Sequence, residues 1–199
     1  AWWLGLRIAA FVALLVTGAT FAAAIRELDV RGPESARRQL ADNGALMLVL
    51  LAPAVAGGAL IAPAFAAIAV AEPFRAATAV LLPFALAAGA LKAFREHGPE
   101  QALLVFRFTR AAAMTALVEA VGTLLLGSLG FYVYGLVGAV GGAALASLGG
   151  AIFSQVLAHR LTGYVIRVGD AARIAAATAL MGLAVYALPA RNDLAGLIL

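Results

Sequence analysis

Between Ala120 and Ala158 the chain reads AVGTLLLGSLGFYVYGLVGAVGGAALASLGGAIFSQVLA, 39 residues without a charged side chain. As a single helix this run would be about 58 Å long, against a bilayer hydrocarbon core of about 30 Å. It has to turn back. The turn is expected in Gly127-Ser-Leu-Gly-Phe-Tyr-Val-Tyr-Gly135, which puts Phe131, Tyr132 and Tyr134 at headgroup depth, where aromatic rings are favoured. A fourth helix, roughly Arg110 to Ser128, and a fifth, Val133 to Ala158, follow from that turn. Gly138, Gly142, Ala146 and Gly150 then recur every four residues on the fifth helix, a small-residue stripe that lets another helix approach closely.

Four more uncharged runs flank this one: Ile8 to Ile25, Asn43 to Ala71, Ala76 to Leu91 and Ile174 to Ala190. The expected fold is therefore all-α, a polytopic membrane protein of about six transmembrane helices forming one transmembrane domain over residues 1–199. Composition agrees, with 64% hydrophobic and 12% charged residues, where soluble domains run about 45–50% and about 25%. A water-soluble globule is excluded, and the absence of Cys excludes a disulfide scaffold. The net charge of +4 comes from 14 Lys and Arg scattered between apolar runs, so membrane lipids are expected partners and nucleic acid is not. The chain opens on Ala1 rather than Met and stops at Leu199 in an apolar stretch. It reads as a fragment of a longer protein.

Basic residues orient the helices. Arg26, Arg31, Arg37 and Arg38, then Lys92, Arg95, Arg107 and Arg110, then Arg160, Arg167 and Arg173 fall between alternate spans, leaving Arg7, Arg75 and Arg191 opposite. The three rich loops are expected in the cytoplasm, so the first helix enters from outside. Pro33 to Leu40 and Pro99 to Arg110 read either as short helices at the headgroup boundary or as solvated linkers, and the second could run straight into the fourth span. Pro53, Pro63 and Pro83 interrupt the second and third spans, as transporter kinks or as static bends.

No His, Asp, Glu or Cys cluster suggests a metal or catalytic centre, so no cofactor, metal or enzymatic activity is expected. His97 and His159 stand alone in different loops. Glu119 lies nine residues beyond Arg110, about 13 Å along the helix. An intramembrane carboxylate there marks a coupling-ion or proton site, or else a protonated group bonded between helices. Thr115, one turn earlier, is its candidate neighbour, while Arg7 lies too far along the membrane normal.

Ala36-Arg-Arg-Gln-Leu40, Leu51-Ala-Pro-Ala-Val-Ala-Gly57, Glu72-Pro-Phe-Arg75, Gln101-Ala-Leu-Leu-Val-Phe-Arg107 and Gly135-Leu-Val-Gly-Ala139 follow one another at helix spacing. In that order they resemble landmarks of the bacterial polysaccharide (O-antigen or exopolysaccharide) flippases, in the multidrug/oligosaccharidyl-lipid/polysaccharide exporter superfamily. The resemblance covers about 105 residues and implies much of the second half of a 12 to 14-helix protein, starting at the second helix of that half. On it, Arg7 matches an Arg after an aromatic residue early in that helix, Pro53 and Gly57 match the Pro and Gly of the next, and Gly135, Gly138 and Ala139 match a glycine turn. The chain departs where the family often has Asn-x-x-x-Asn, carrying Val118 and Gly122 beside Glu119, and its turn before Gly135 is longer.

The resemblance implies export of undecaprenyl-pyrophosphate-linked oligosaccharide across the bacterial inner (cytoplasmic) membrane by alternating access, with a missing N-terminal helical bundle as the partner of this one. A pyrophosphate needs cations facing a wet cavity, and Arg7, Lys92 and Arg95 are the candidate substrate-binding residues, or interfacial anchors. The competing functions are a multidrug or organic-cation antiporter of the same superfamily and a non-transporting scaffold subunit.

Overall fold

The computed structural model describes the backbone of residues 2–187, with side chains from Thr20 onward and, before it, at Arg7, Ala10, Phe11 and Leu14. Arg191 and the end of the last apolar run, Ile174 to Ala190, lie outside the described residues. The elements are α1 (Trp2–Arg31), α2 (Pro33–Ala69), a 3-10 turn (Glu72–Phe74), α3 (Arg75–His97), α4 (Pro99–Val105), α5 (Thr109–Thr162) and α6 (Val168–Ala187). Every described element is helical. Among the described residues four stretches are long and apolar enough to cross a membrane: α2, the rod from Glu72 to Val105, α5 and α6.

Local chemistry sets the breaks. Gly32 adopts φ +86° and Pro33 opens α2, so α1 cannot run on. Gly98 separates α3 from α4 because Pro99 disfavours a helical residue before it. The end of α4 is a Schellman turn: Phe108 N–H donates to Leu103 O (2.7 Å) and Arg107 N–H to Leu104 O (3.0 Å), with Arg107 in the left-handed position that glycine usually takes.

Two expected surface helices are corrected by these contacts. Residues 33–40 are the continuous start of α2, because Ala36 and Leu40 are buried and Leu40 joins a core with Ala24, Ala102, Leu103, Val105, Ala158 and Tyr164. The segment opening at Pro99 ends at Val105 instead of running into the next span. It continues the direction of α3, and the chain reverses at Phe106 to Phe108.

Within α5 only Tyr134 (φ −128°, ψ 17°) and Gly135 (φ +61°, ψ −144°) leave the helical region. The chain reverses there, so the turn is tighter than the nine residues expected, and Tyr132 and Tyr134 project outward at 89% and 77% exposure. The two arms, 109–134 and 135–162, pack antiparallel. Gly138 lies against Gly130, Gly142 against the Leu126 carbonyl, Ala146 against Gly122 and Gly150 against Glu119. The small-residue stripe therefore serves the closure of α5 on itself.

α3 is central, touching α1, α2 and α5, while α6 leans on α2 and buries none of its residues. Helices α2 and α3 continue through Pro53, Pro63 and Pro83, each of which removes one donor from the ladder. At the loop end the segment between α5 and α6 docks onto α2. Arg37 Nε donates to Thr162 O (2.6 Å), its guanidinium lies 5.7 Å from the centre of the Phe106 ring, and Tyr164 is wholly buried between Gly44 and Gly98. Burial pushes the Tyr164 phenol well above its ordinary range, so this plug stays neutral.

Candidate functional site

The antiparallel pairing of α3–α4 with α5 about the Phe106–Phe108 turn puts Arg95 level with Glu119, since each lies 12 residues from Arg107. Arg95 Nε is 2.5 Å from Glu119 Oε2. The same guanidinium contacts Glu100 Oε1 through Nη1 and Glu96 Oε1 through Nη2, the latter at 3.2 Å. The side chains of Arg95, Glu119 and Glu100 are 4%, 9% and 12% exposed, whereas Glu96 is 39% exposed and also pairs with Lys92 at 3.9 Å. One buried cation thus faces a buried carboxyl group, Glu119, and a largely buried one, Glu100.

Hydroxyls complete the cluster. Ser147 Oγ donates to Glu119 Oε1 at 2.9 Å across the α5 hairpin, so Glu119 is held from both sides. Thr115, the neighbour expected for Glu119, instead touches Glu100 Oε1 and bonds the Ala112 carbonyl at 2.7 Å. Gly150 is needed beside Glu119, for an added Cβ would lie 3.0 Å from the Glu119 Cβ. Buried charges of this kind are stable only when paired and hydrogen-bonded.

Glu119 lies ten residues into the first arm of α5, level with Gly150 near the middle of the second. On the α3 side, Arg95 sits about one helical turn from Gly98, which Tyr164 of the α5–α6 loop reaches. Glu100 and the Arg95 pairing escaped the sequence reading because Gly98-Pro99 looked like the end of a span. Placing the reversal at Phe106–Phe108 would have exposed the matched 12-residue spacings.

The other candidate cations stand apart. Lys92 is half-exposed on α3, one turn from Glu96, and Arg7 is exposed on α1. His97 ends α3, while His159 is exposed in the last turn of α5. Among the described residues no group of three or more His, Cys, Asp or Glu could hold a metal ion.

Beside the cluster, α2, α3, the second arm of α5 and the start of α6 line an open apolar cavity of about 770 Å³. Its lining includes Leu51 and Val55 of α2, Ala90 and Phe94 of α3, and Ala151 and Ile152 of α5. Leu148, Ile152 and Val156 are 42–57% exposed, so that wall reaches the outer surface of the bundle. Gln155 Oε1 is buried there without a hydrogen-bond partner. No family model, curated protein or solved structure matches the chain.

Proposed function

We propose that the protein exports lipid-linked oligosaccharide, an undecaprenyl-pyrophosphate-linked repeat unit of a bacterial polysaccharide, across the inner (cytoplasmic) membrane by alternating access. The observation that carries this reading is the apolar cavity between α2, α3, α5 and α6. Its volume is within the roughly 300–1,000 Å³ of small-molecule sites, and its lining suits a hydrocarbon chain entering between helices. Support also comes from the five flippase-like landmarks, two of which, Leu51 to Gly57 and Gln101 to Arg107, lie in the elements that build the cavity and the charge cluster.

In this reading α1, α2, the Glu72–Val105 rod, both arms of α5 and α6 make six spans, and the basic loop end is cytoplasmic. Lys92 is half-exposed and meets the pyrophosphate directly, with Arg7 serving at the opposite end. Arg95 reaches a phosphate only after leaving Glu100 and Glu119, and Glu119 is the coupling residue. A helical bundle outside this chain supplies the other wall of the pathway.

Photo-crosslinking tests the substrate. A benzophenone-tagged undecaprenyl-pyrophosphate trisaccharide is expected to label Val55, Phe94 or Ile152 in the purified protein, and excess untagged sugar-lipid to abolish the labelling. Competition by tetraphenylphosphonium but not by sugar-lipid would favour the cation antiporter, and no labelling above that of an untagged hydrophobic control would leave the scaffold. Orientation has its own test, without background because the sequence has no Cys. Arg38→Cys, 70% exposed in its side chain, is expected to react with an impermeant thiol reagent only from the cytoplasmic side, and Tyr132→Cys only from outside. The reverse pattern sinks the orientation.

A further inference from the structure

We propose that Arg95, Glu100 and Glu119 form a proton-binding site in which the two carboxyl groups share one exchangeable proton beside the single guanidinium. The first ground is charge. A single guanidinium, itself 4% exposed, touches two carboxyl groups that are 12% and 9% exposed. Both ionised would leave one negative charge in excess inside an apolar bundle, and the group that relieves it most simply is a proton. Counting outward does not remove the excess. Glu96 and Lys92, the next groups on α3, pair with each other and so cancel.

The second ground is the hydroxyl of Thr115, which has one proton and two acceptors. Oγ1 bonds the Ala112 carbonyl at 2.7 Å, the local bond of a helical threonine. Thr115 Oγ1 also touches Glu100 Oε1, and one hydroxyl proton cannot serve both acceptors, so whenever it serves Ala112 the contact with Glu100 is filled by a proton on the carboxyl group. Arg95 touches both carboxyls: Nη1 donates to Glu100 Oε1, while Nε lies 2.5 Å from Glu119 Oε2 without hydrogen-bond alignment, and Ser147 Oγ donates to Glu119 Oε1.

The groups facing Glu100 are Arg95 and Glu96 from α3 and Thr115 and Glu119 from α5; α1 and α2 meet α4 through the apolar layer of Ala24, Leu40, Ala102 and Leu103. Release of the proton leaves both carboxyls ionised and delivers it to water, a step open only when the cluster is wetted. The site needs only this geometry; its use as the coupling site of export rests on the function proposed above.

Infrared spectroscopy of the purified protein in lipid, titrated with acid and base in H₂O and D₂O, reads the proton directly. Wild type is expected to show at neutral pH the carbonyl stretch of one protonated carboxylic acid, shifted by deuterium and lost in Glu100→Gln. Glu119→Gln is expected to move the disappearance of that band to lower pH, because Arg95 is then available to Glu100 alone. Absence of the band from wild type at neutral pH overturns the proposal whatever the variants do, and so does a band that survives in Glu100→Gln. A band that behaves as expected in a protein that fails to bind sugar-lipid would keep the proton site and remove only its link to export.

Discussion

Arg95→Met is expected to lower the stability of the protein by about 3–5 kcal/mol, the cost of leaving a buried carboxylate without its partner. Methionine keeps the apolar stem and its packing, so the loss reports the guanidinium. Three contacts go at once: the pair with Glu119, the pair with Glu100 and the link to Glu96. Adding Glu119→Gln to Arg95→Met is expected to recover most of the loss, and a double-mutant cycle read by thermal midpoints in detergent measures the coupling. A loss below about 1 kcal/mol, the range of exposed ion pairs, would mean that the cluster is wet and that Arg95 is an interfacial anchor.

That cluster was half legible in the sequence, and the reason lies in where charge and proline were taken to end a span. Glu119 stood out because no charged residue lies between it and His159. Arg95 and Glu100 did not, for they flank Gly98-Pro99, and a Gly-Pro pair beside charges reads as a loop. The chain does bend there, but α4 carries on, because Ala102, Leu103 and Val105 have an apolar layer to enter. The true reversal depends on Arg107 taking a left-handed conformation at φ +64°, a role that sequence assigns to glycine and not to arginine. Similarly, residues 33–40 carry three charges in eight positions, which hides the buried pair Ala36 and Leu40 on one face of α2. Small-residue spacing was the clearest signal. It named the stripe on the second arm of α5 but not its partner, since nothing in a stripe says which helix it meets.

The contrast between two neighbouring glycines measures how much of the bundle depends on that stripe. Gly142 lies against the carbonyl of Leu126 on the facing arm, so closely that an added Cβ would overlap backbone, while Gly141 has nothing within 4 Å of the same added atom. Backbone cannot rotate aside as a side chain does, so Gly142→Ala has to push the arms of α5 apart. Overpacking of this kind costs about 1–3 kcal/mol, and more where relaxation is blocked. Gly141→Ala, in the same helix, is expected to be neutral or to stabilise by up to about 1 kcal/mol through lower chain entropy. Thermal unfolding in detergent is therefore expected to separate two chemically identical changes at adjacent positions, with the midpoint well below wild type for Gly142→Ala and at or above it for Gly141→Ala. Equal midpoints would show that the arms are not in contact at this level. The separation also travels along the hairpin: Ser147 and Gly150, one and two turns beyond Gly142, are the residues that hold Glu119. A shift of the arms at Gly142 lengthens the 2.9 Å bond from Ser147 to Glu119. Gly142→Ala is thus expected to alter the carboxylic acid band of the Arg95 cluster from a position that touches none of its members, and Gly141→Ala to leave that band unchanged.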